Sequence, residues 1–264
     1  MNLLFTILFF IFGAILGSFL NVVSLRYNTG LGFSGRSKCF SCAKTLHFFE
    51  LIPIFSFIFL GGRCSGCKSK IFIQYPIVEF TTAVLSSLLF LKFGLSTETF
   101  YFIFIFCLLL IITTYDFKHK IIPEGIVYLF ILFSLITIFF DVNELIFKIP
   151  NIYDIISGPT VAFPFFFLWF ISKGKWIGLG DGKLALGVGF LLGISGGFSA
   201  LALAFWIGTI FSIGWILLNK ILNKKKLNLG EKQITMKSEV PFAPFIIIGF
   251  IIIFFTGLNL FPPS

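Results

Sequence analysis

Apolar runs about as long as a bilayer is thick recur from one end of this chain to the other. The first, Leu3 to Leu25, reads LLFTILFFIFGAILGSFLNVVSL. About 20 helical residues cross the hydrocarbon core. Inside that layer only helices and closed barrels satisfy their own backbone groups. Composition agrees: 12% of the 264 residues are charged, against about 25% in soluble domains. The pattern predicts an all-α, polytopic integral membrane protein of about eight transmembrane helices, at 3–25, 73–95, 99–115, 122–140, 152–172, 184–199, 200–219 and 242–261. Between the sixth and seventh, only Gly193, Gly196 and Gly197 offer a turn. The first run lacks a basic leading segment and is too long for a signal peptide, so it reads as a retained span.

Charge gives the expected orientation. With the N-terminus outside, the inside loops are 26–72, 116–121, 173–183 and 220–241, and they hold 18 of the 20 Lys and Arg residues. Lys92 and Lys148 alone remain outside. That bias is the one expected of cytoplasmic loops, and it puts both termini outside. The formal charge of +9 therefore needs no nucleic-acid partner. Anionic lipid is the expected partner of these cations, and Lys224-Lys225-Lys226 reads as a solvated or headgroup-facing run. The expected organisation is a first helix over 1–25, a cytoplasmic loop domain over 26–72 and a transmembrane core over 73–264. Within the loop, Leu51 to Leu60 (LIPIFSFIFL) is apolar but too short to cross. No internal repeat is evident.

Four of the five cysteines lie in that loop, as KCFSC (Cys39, Cys42) and RCSGC (Cys64, Cys67). Two C-x-x-C turns each aim two thiolates at one point, and together they complete a tetrahedral S₄ site for structural zinc. A reducing cytoplasm disfavours disulfides there; a redox pair is the competing reading. Ser41 and Gly66 suit tight knuckles. Cys107 reads as a small apolar residue of a span. His47 and His119 lack ligand spacing to each other and read as interfacial polar residues.

Acids at membrane depth are costly and mark function by default. Asp116 ends the third span, and Asp181, in GLGDGKLAL, opens the sixth. Two spans separate them, so both face one leaflet. Carboxylates that approach closely cannot both ionise, and such a pair acts as general base and general acid on a water. Gly178, Gly180 and Gly182 remove Cβ bulk, which would let a peptide backbone approach Asp181. Lys183 either tunes the pair or snorkels to headgroups. Pro123 fixes the start of the fourth span. Helix capping explains both aspartates equally well at this point. Glu50, Glu79 and Glu124 are further acids of interest. Three function classes stay open on these residues: a dyad peptidase, a carrier relaying protons through carboxylates, and a structural subunit docking a partner through its cysteine domain.

Three features then coincide: GLGD ending at Asp181, the aspartate of DFKHKIIPE at Asp116, and the double C-x-x-C loop after the first span. Together they resemble the type IV prepilin peptidase family, membrane aspartic proteases of the G-x-G-D class. GSFLNVVSLR (17–26), ELIPIFSF (50–57), GGRC (61–64), QYPIVEF (74–80) and VPFAPF (240–245) match in the expected order. The resemblance implies a bacterial inner-membrane endopeptidase that removes the basic leader of prepilins and pseudopilins at the cytoplasmic face, after a glycine and usually before Phe. It implies Asp116 and Asp181 as the catalytic pair, and zinc on Cys39, Cys42, Cys64 and Cys67. It also implies N-methylation of the new terminus with S-adenosylmethionine; a protease without methylation is the neighbouring reading. Gln74 stands where the family often has Arg, and Glu124 where Asn is common. No glycine-rich nucleotide fingerprint occurs, so the methyl donor enters by resemblance alone. Glu50 and Glu124 are the acids expected to meet a basic leader.

Overall fold

The computed structural model describes residues 2–30, 32, 35–223 and 241–261. The Lys224–Lys226 run and most of the 220–241 loop lie outside them. The helices follow the apolar runs: α1 (Asn2–Arg26), α3 (Gln74–Phe93), α4 (Thr97–His119), α5 (Glu124–Phe139), α6 (Ile152–Ser172), α7 (Leu179–Asn223) and α8 (Ala243–Thr256). A five-residue helix, α2 (Phe55–Phe59), follows a 3-10 turn at Phe48–Leu51, so LIPIFSFIFL does not cross. Two-residue strands β1 (Phe140–Asp141) and β2 (Ile146–Phe147) pair in the loop after α5.

Among the described residues five helices, α1, α3, α4, α6 and α7, are long and apolar enough to cross a membrane, and α5 and α8 are shorter apolar helices. This is a mostly helical membrane protein. The expected spans at 184–199 and 200–219 correspond to two helices within Leu179–Asn223, labelled together α7 and separated by a break at Gly193, where φ is 72° and ψ −176°. The break falls at the first of the three candidate glycines. Gly196 and Gly197 stay within the helix.

By compactness the described chain forms two units: Met1–Tyr115 with Asp141–Ile146, and Asp116–Phe140 with Phe147–Ser264. In the first, α1 lies against α3. A Cβ on Gly13 would stand 2.6 Å from the Thr82 carbonyl oxygen, and one on Gly17 would stand 2.6 Å from the Glu79 Cα. Gly13 and Gly17 form a G-x-x-x-G step, and lipid-embedded helices use such steps to bring backbones together. Phe9 stacks on Phe90 at 4.7 Å between ring centroids, and Phe93 stacks on Phe102 of α4 at 5.2 Å.

The cysteine module, between α1 and α3, is built from two matching turns. The Cys39 N–H donates to the Lys44 carbonyl and the Ala43 N–H to the Cys39 carbonyl, both at 2.9 Å. The Cys64 N–H donates to Ser69 and the Lys68 N–H to Cys64 in the same pattern, at 2.9 and 3.1 Å. Each turn is flanked by one antiparallel bridge, Lys38 to Thr45 and Arg63 to Lys70. Ser41 and Gly66 lie in these turns as expected, and each turn closes on a left-handed residue, Ala43 or Lys68, with φ of 55° and 59°. A short structural repeat thus exists where the sequence shows only recurring cysteines.

In the second unit α7 is central, packing against α5, α6 and α8. Pro159 and Pro164 lie inside α6; neighbouring helices make that tolerable in lipid. Pro123 is the N-cap of α5, one residue before the helix begins, so it sets the turn between Asp116 and that helix.

Candidate active site and metal centre

The second unit carries a cavity of about 820 Å³, and Asp116 and Asp181 both line it. Asp116 projects from the last turn of α4, where the Lys120 N–H closes onto its carbonyl at 2.7 Å. The residue is 4% exposed. The Ala243 backbone N–H, at the start of α8, points to its carboxylate. Its Oδ2 is buried without a partner. Asp181 sits in the first turn of α7. Its carboxylate accepts from the Gly178 backbone, and the Asp116 charge acts on it directly. Asp181 is therefore not the helix cap but a first-turn acid reaching back to the residue before the helix. Each carboxylate has one backbone anchor, and the orphaned Asp116 Oδ2 gives a water or a polarised carbonyl a place to bind.

The glycines divide in role. A Cβ on Gly178 would meet only Asp181 Oδ2, at 3.4 Å, so that flank is open. A Cβ on Gly180 would stand 2.8 Å from the Ile122 Cβ. Gly180 thus admits Ile122 beside the pair rather than a peptide, and Gly182 likewise faces Phe166 at 3.1 Å. Lys183 donates to Glu124 at 2.9 Å and stands 4.6 Å above the Tyr128 ring. The Glu124 side chain is 74% exposed and that of Lys183 15%. The N-termini of α5 and α7 are thereby tied together. The Ala243 N–H and the flanking Phe205 and Phe242 were not singled out from sequence. The only signal was the VPFAPF run, whose Pro244 lies in the first turn of α8.

In the first unit the sulfurs of Cys39, Cys42, Cys64 and Cys67 all lie within 4.8 Å of one another. Cys39 and Cys67 sulfurs are 3.8 Å apart, which is the edge of a tetrahedron with metal–sulfur bonds of about 2.3 Å. Backbone N–H groups of Cys42 and Ser41 turn toward the Cys39 sulfur and lower its thiol to about 6. The Lys44 backbone acts the same way on Cys42, but the Cys67 sulfur and burial outweigh it and push that thiol up to about 11. Four crowded sulfurs cannot all be anionic without a cation among them, so this donor set can hold a metal ion. Glu50 braces the two knuckles. Its carboxylate takes hydrogen bonds from the Ser65 hydroxyl and from Lys44 (3.2 Å), and the His47 N–H donates to it at 2.7 Å. These partners, Ser65 first, hold Glu50 down to about 2. Glu50 is thus bound into the module. Cys107 is buried in α4, away from this cluster.

Comparison with known proteins matches both regions. Residues 11–93 fit the bacterial peptidase A24 N-terminal domain, and residues 103–213 fit the type IV leader peptidase family. Over 249 residues the chain is 31% identical to a prepilin leader peptidase/N-methyltransferase of Bacillus subtilis (strain 168), covering 94% of this chain and 93% of that one. Proteins of the same name from Pseudomonas putida and Vibrio cholerae are 28% and 26% identical. They cover 81% and 97% of this chain, and 69% and 98% of their own lengths. No solved structure matches the chain. The chain belongs to the type IV leader peptidase family.

Proposed function

We propose that this protein is a membrane aspartic endopeptidase that removes the basic leader of type IV prepilins and pseudopilins after glycine, and then N-methylates the new terminus. The observation that carries the first half is the carboxylate pair lining one cavity, with Asp116 Oδ2 buried and unpartnered. One aspartate, ionised, takes a proton from water. The resulting hydroxide attacks the scissile carbonyl while the other aspartate, protonated, gives its proton to the carbonyl oxygen; as the C–N bond breaks, the first aspartate passes the proton it took from water to the leaving amine, and a diol hydroxyl returns a proton to the second. Gly178 leaves open the flank along which the peptide reaches the pair. The Lys183–Glu124 tie positions α7 and hence Asp181. Glu50 is occupied within the cysteine module, so recognition of a basic leader falls to Glu124, whose exposed carboxylate lies at the cavity.

Zinc is the metal that suits four thiolates in a closed set, and its role is structural. Support for methylation comes from the names of the relatives. S-adenosylmethionine would supply a methyl group on a sulfonium. The described residues contain no strand-to-helix glycine turn that would cradle a nucleotide, and no residues are assigned to hold it. The charge bias of the loops supports a bacterial inner-membrane setting, with cysteine module and aspartates at the cytoplasmic face, both termini outside, and basic loops against anionic lipid. The decisive experiment co-expresses a prepilin with Asp116→Asn and Asp181→Asn variants. Each should insert into the membrane and leave the prepilin uncut on a gel. Normal processing by either variant refutes the dyad.

A further inference from the structure

The first unit holds a buried carboxylate that peptide hydrolysis does not use. Glu79, on α3, is 7% exposed. Its Oε2 accepts the Ile54 backbone N–H at 2.7 Å, and the Ser18 hydroxyl of α1 reaches the same carboxylate. Gly17 brings the backbone of α1 against Glu79. One turn further along α1, Asn21 is 1% exposed. Its amide nitrogen donates to the Gly17 and Tyr75 carbonyls, both at 3.2 Å, while its Oδ1 is buried with no partner at all. An orphaned buried acceptor is costly, and this one lies one turn along α1 from the Gly17–Glu79 contact; it calls for a ligand that brings donors.

The group that covers Glu79 is itself strained. Ile54 has φ 64° and ψ −53°. The Phe55 N–H donates to the Pro53 carbonyl at 2.6 Å. Pro53–Phe55 is therefore a γ-turn of the rare positive-φ kind, with a β-branched residue at its centre. Only the hydrogen bond to Glu79 is seen to hold the Ile54 N–H in that pose.

We propose that Glu79 and Asn21 Oδ1 form a binding site for a primary ammonium group, covered by the Pro53–Phe55 turn. An ammonium brings positive charge and three donors with no acceptor. When the turn swings aside, one ammonium N–H replaces the Ile54 N–H on Glu79, and a second satisfies Asn21 Oδ1. Moving one proton from this nitrogen to a Glu79 oxygen leaves a neutral amine with its lone pair free, which is the form that any N-methylation requires. The inference rests on the methylating half of the proposed function: the ammonium in question is the N-terminus that leader removal creates.

The test uses the full-length protein in detergent, without any methyl donor. An eight-residue peptide beginning with Phe and carrying a free amino terminus is compared with its N-acetylated twin. The wild type should bind the free amine about tenfold more tightly. Glu79→Gln, which keeps shape but not charge, should abolish the preference, and Asn21→Leu should weaken it. In cells co-expressing a prepilin, Glu79→Gln should still cut the leader yet leave the terminus unmethylated by mass spectrometry. Retained cleavage certifies the fold; should Glu79→Gln also stop cutting, Asn21→Leu and Ser18→Ala carry the same binding comparison. A wild type indifferent to acetylation, or a Glu79→Gln protein that keeps both the preference and methylation, overturns the site and leaves these residues as packing between α1 and α3. Failure of the wild type to cut prepilin would instead overturn the peptidase reading, while the peptide comparison still decides this one.

Discussion

Lys183 stands two residues past Asp181, yet its ammonium is held by Glu124 and the face of Tyr128. An exposed ion pair contributes about 0.2–1 kcal/mol and a cation over a ring a similar amount. Lys183→Met should therefore lower leader-cleavage kcat/KM by about tenfold through a loosened α7 N-terminus. Asp116→Asn and Asp181→Asn should each cost at least about a thousandfold, since each removes a proton-transfer group. A Lys183→Met loss as deep as that of the aspartates would place the lysine in the chemistry itself. That Asp116 and Asp181 meet at one cavity was legible because acids at span ends are rare here and the expected topology puts both on one face. The Lys183–Glu124 pair was not, because its members are 59 positions apart and nothing local signals the contact. The same blindness made Gly180 look like an approach for substrate, when it is the space into which Ile122 fits.

At the scale of elements, the α1–α3 crossing is the sharpest close approach in the first unit. Gly17→Leu would drive a side chain into the α3 backbone at Glu79, at a cost of about 1–3 kcal/mol. The expected result is a lower thermal midpoint for full-length protein in detergent, with Gly30→Leu milder. The latter site is open around its Cβ position, though its φ of 75° keeps it strained. In the cysteine module, Glu50 is held down to about 2 from an ordinary 4.5. Its folded value is depressed, so its stabilisation is present above 4.5 and fades as pH falls toward 2. Glu50→Gln should weaken the module against proteolysis at pH 7 and flatten the loss of protection on acidification, with metal content followed in parallel because thiolates also take up protons there. An unchanged acid profile would mean that the brace contributes nothing. The span-length helices were legible, since bilayer thickness dictates their length. The break in α7 was legible only as three equivalent glycines, because a bend depends on one residue's backbone angles and not on composition.

For the whole molecule, charge asymmetry and metal content give the broadest checks. Reporter fusions ending at Asn143 should report the outside, and fusions ending at Lys175 the cytoplasm; the reverse result would invert the orientation drawn from the basic loops. The purified chain should carry one zinc ion by elemental analysis, and Cys39→Ser with Cys64→Ser should reduce this to near zero. The second family match begins at residue 103, before the unit boundary at Tyr115–Asp116, so part of α4 in the first unit belongs to that match. The cysteine module and the Glu79 crossing thus share one unit, and the carboxylate pair occupies the other.

The break in α7 has a consequence in terms of chirality. Gly193 adopts φ 72° and ψ −176°, and a Cβ there would touch nothing within 4 Å. Space therefore does not exclude other residues; handedness does. The mirror image of these angles is ordinary extended backbone for an L-residue, so a D-residue would adopt the observed pair without strain. A semisynthetic chain with D-alanine at 193 should keep the bend and gain about 0.4–1 kcal/mol by narrowing its unfolded ensemble, whereas L-alanine at the same position would resist the bend between the two halves of α7.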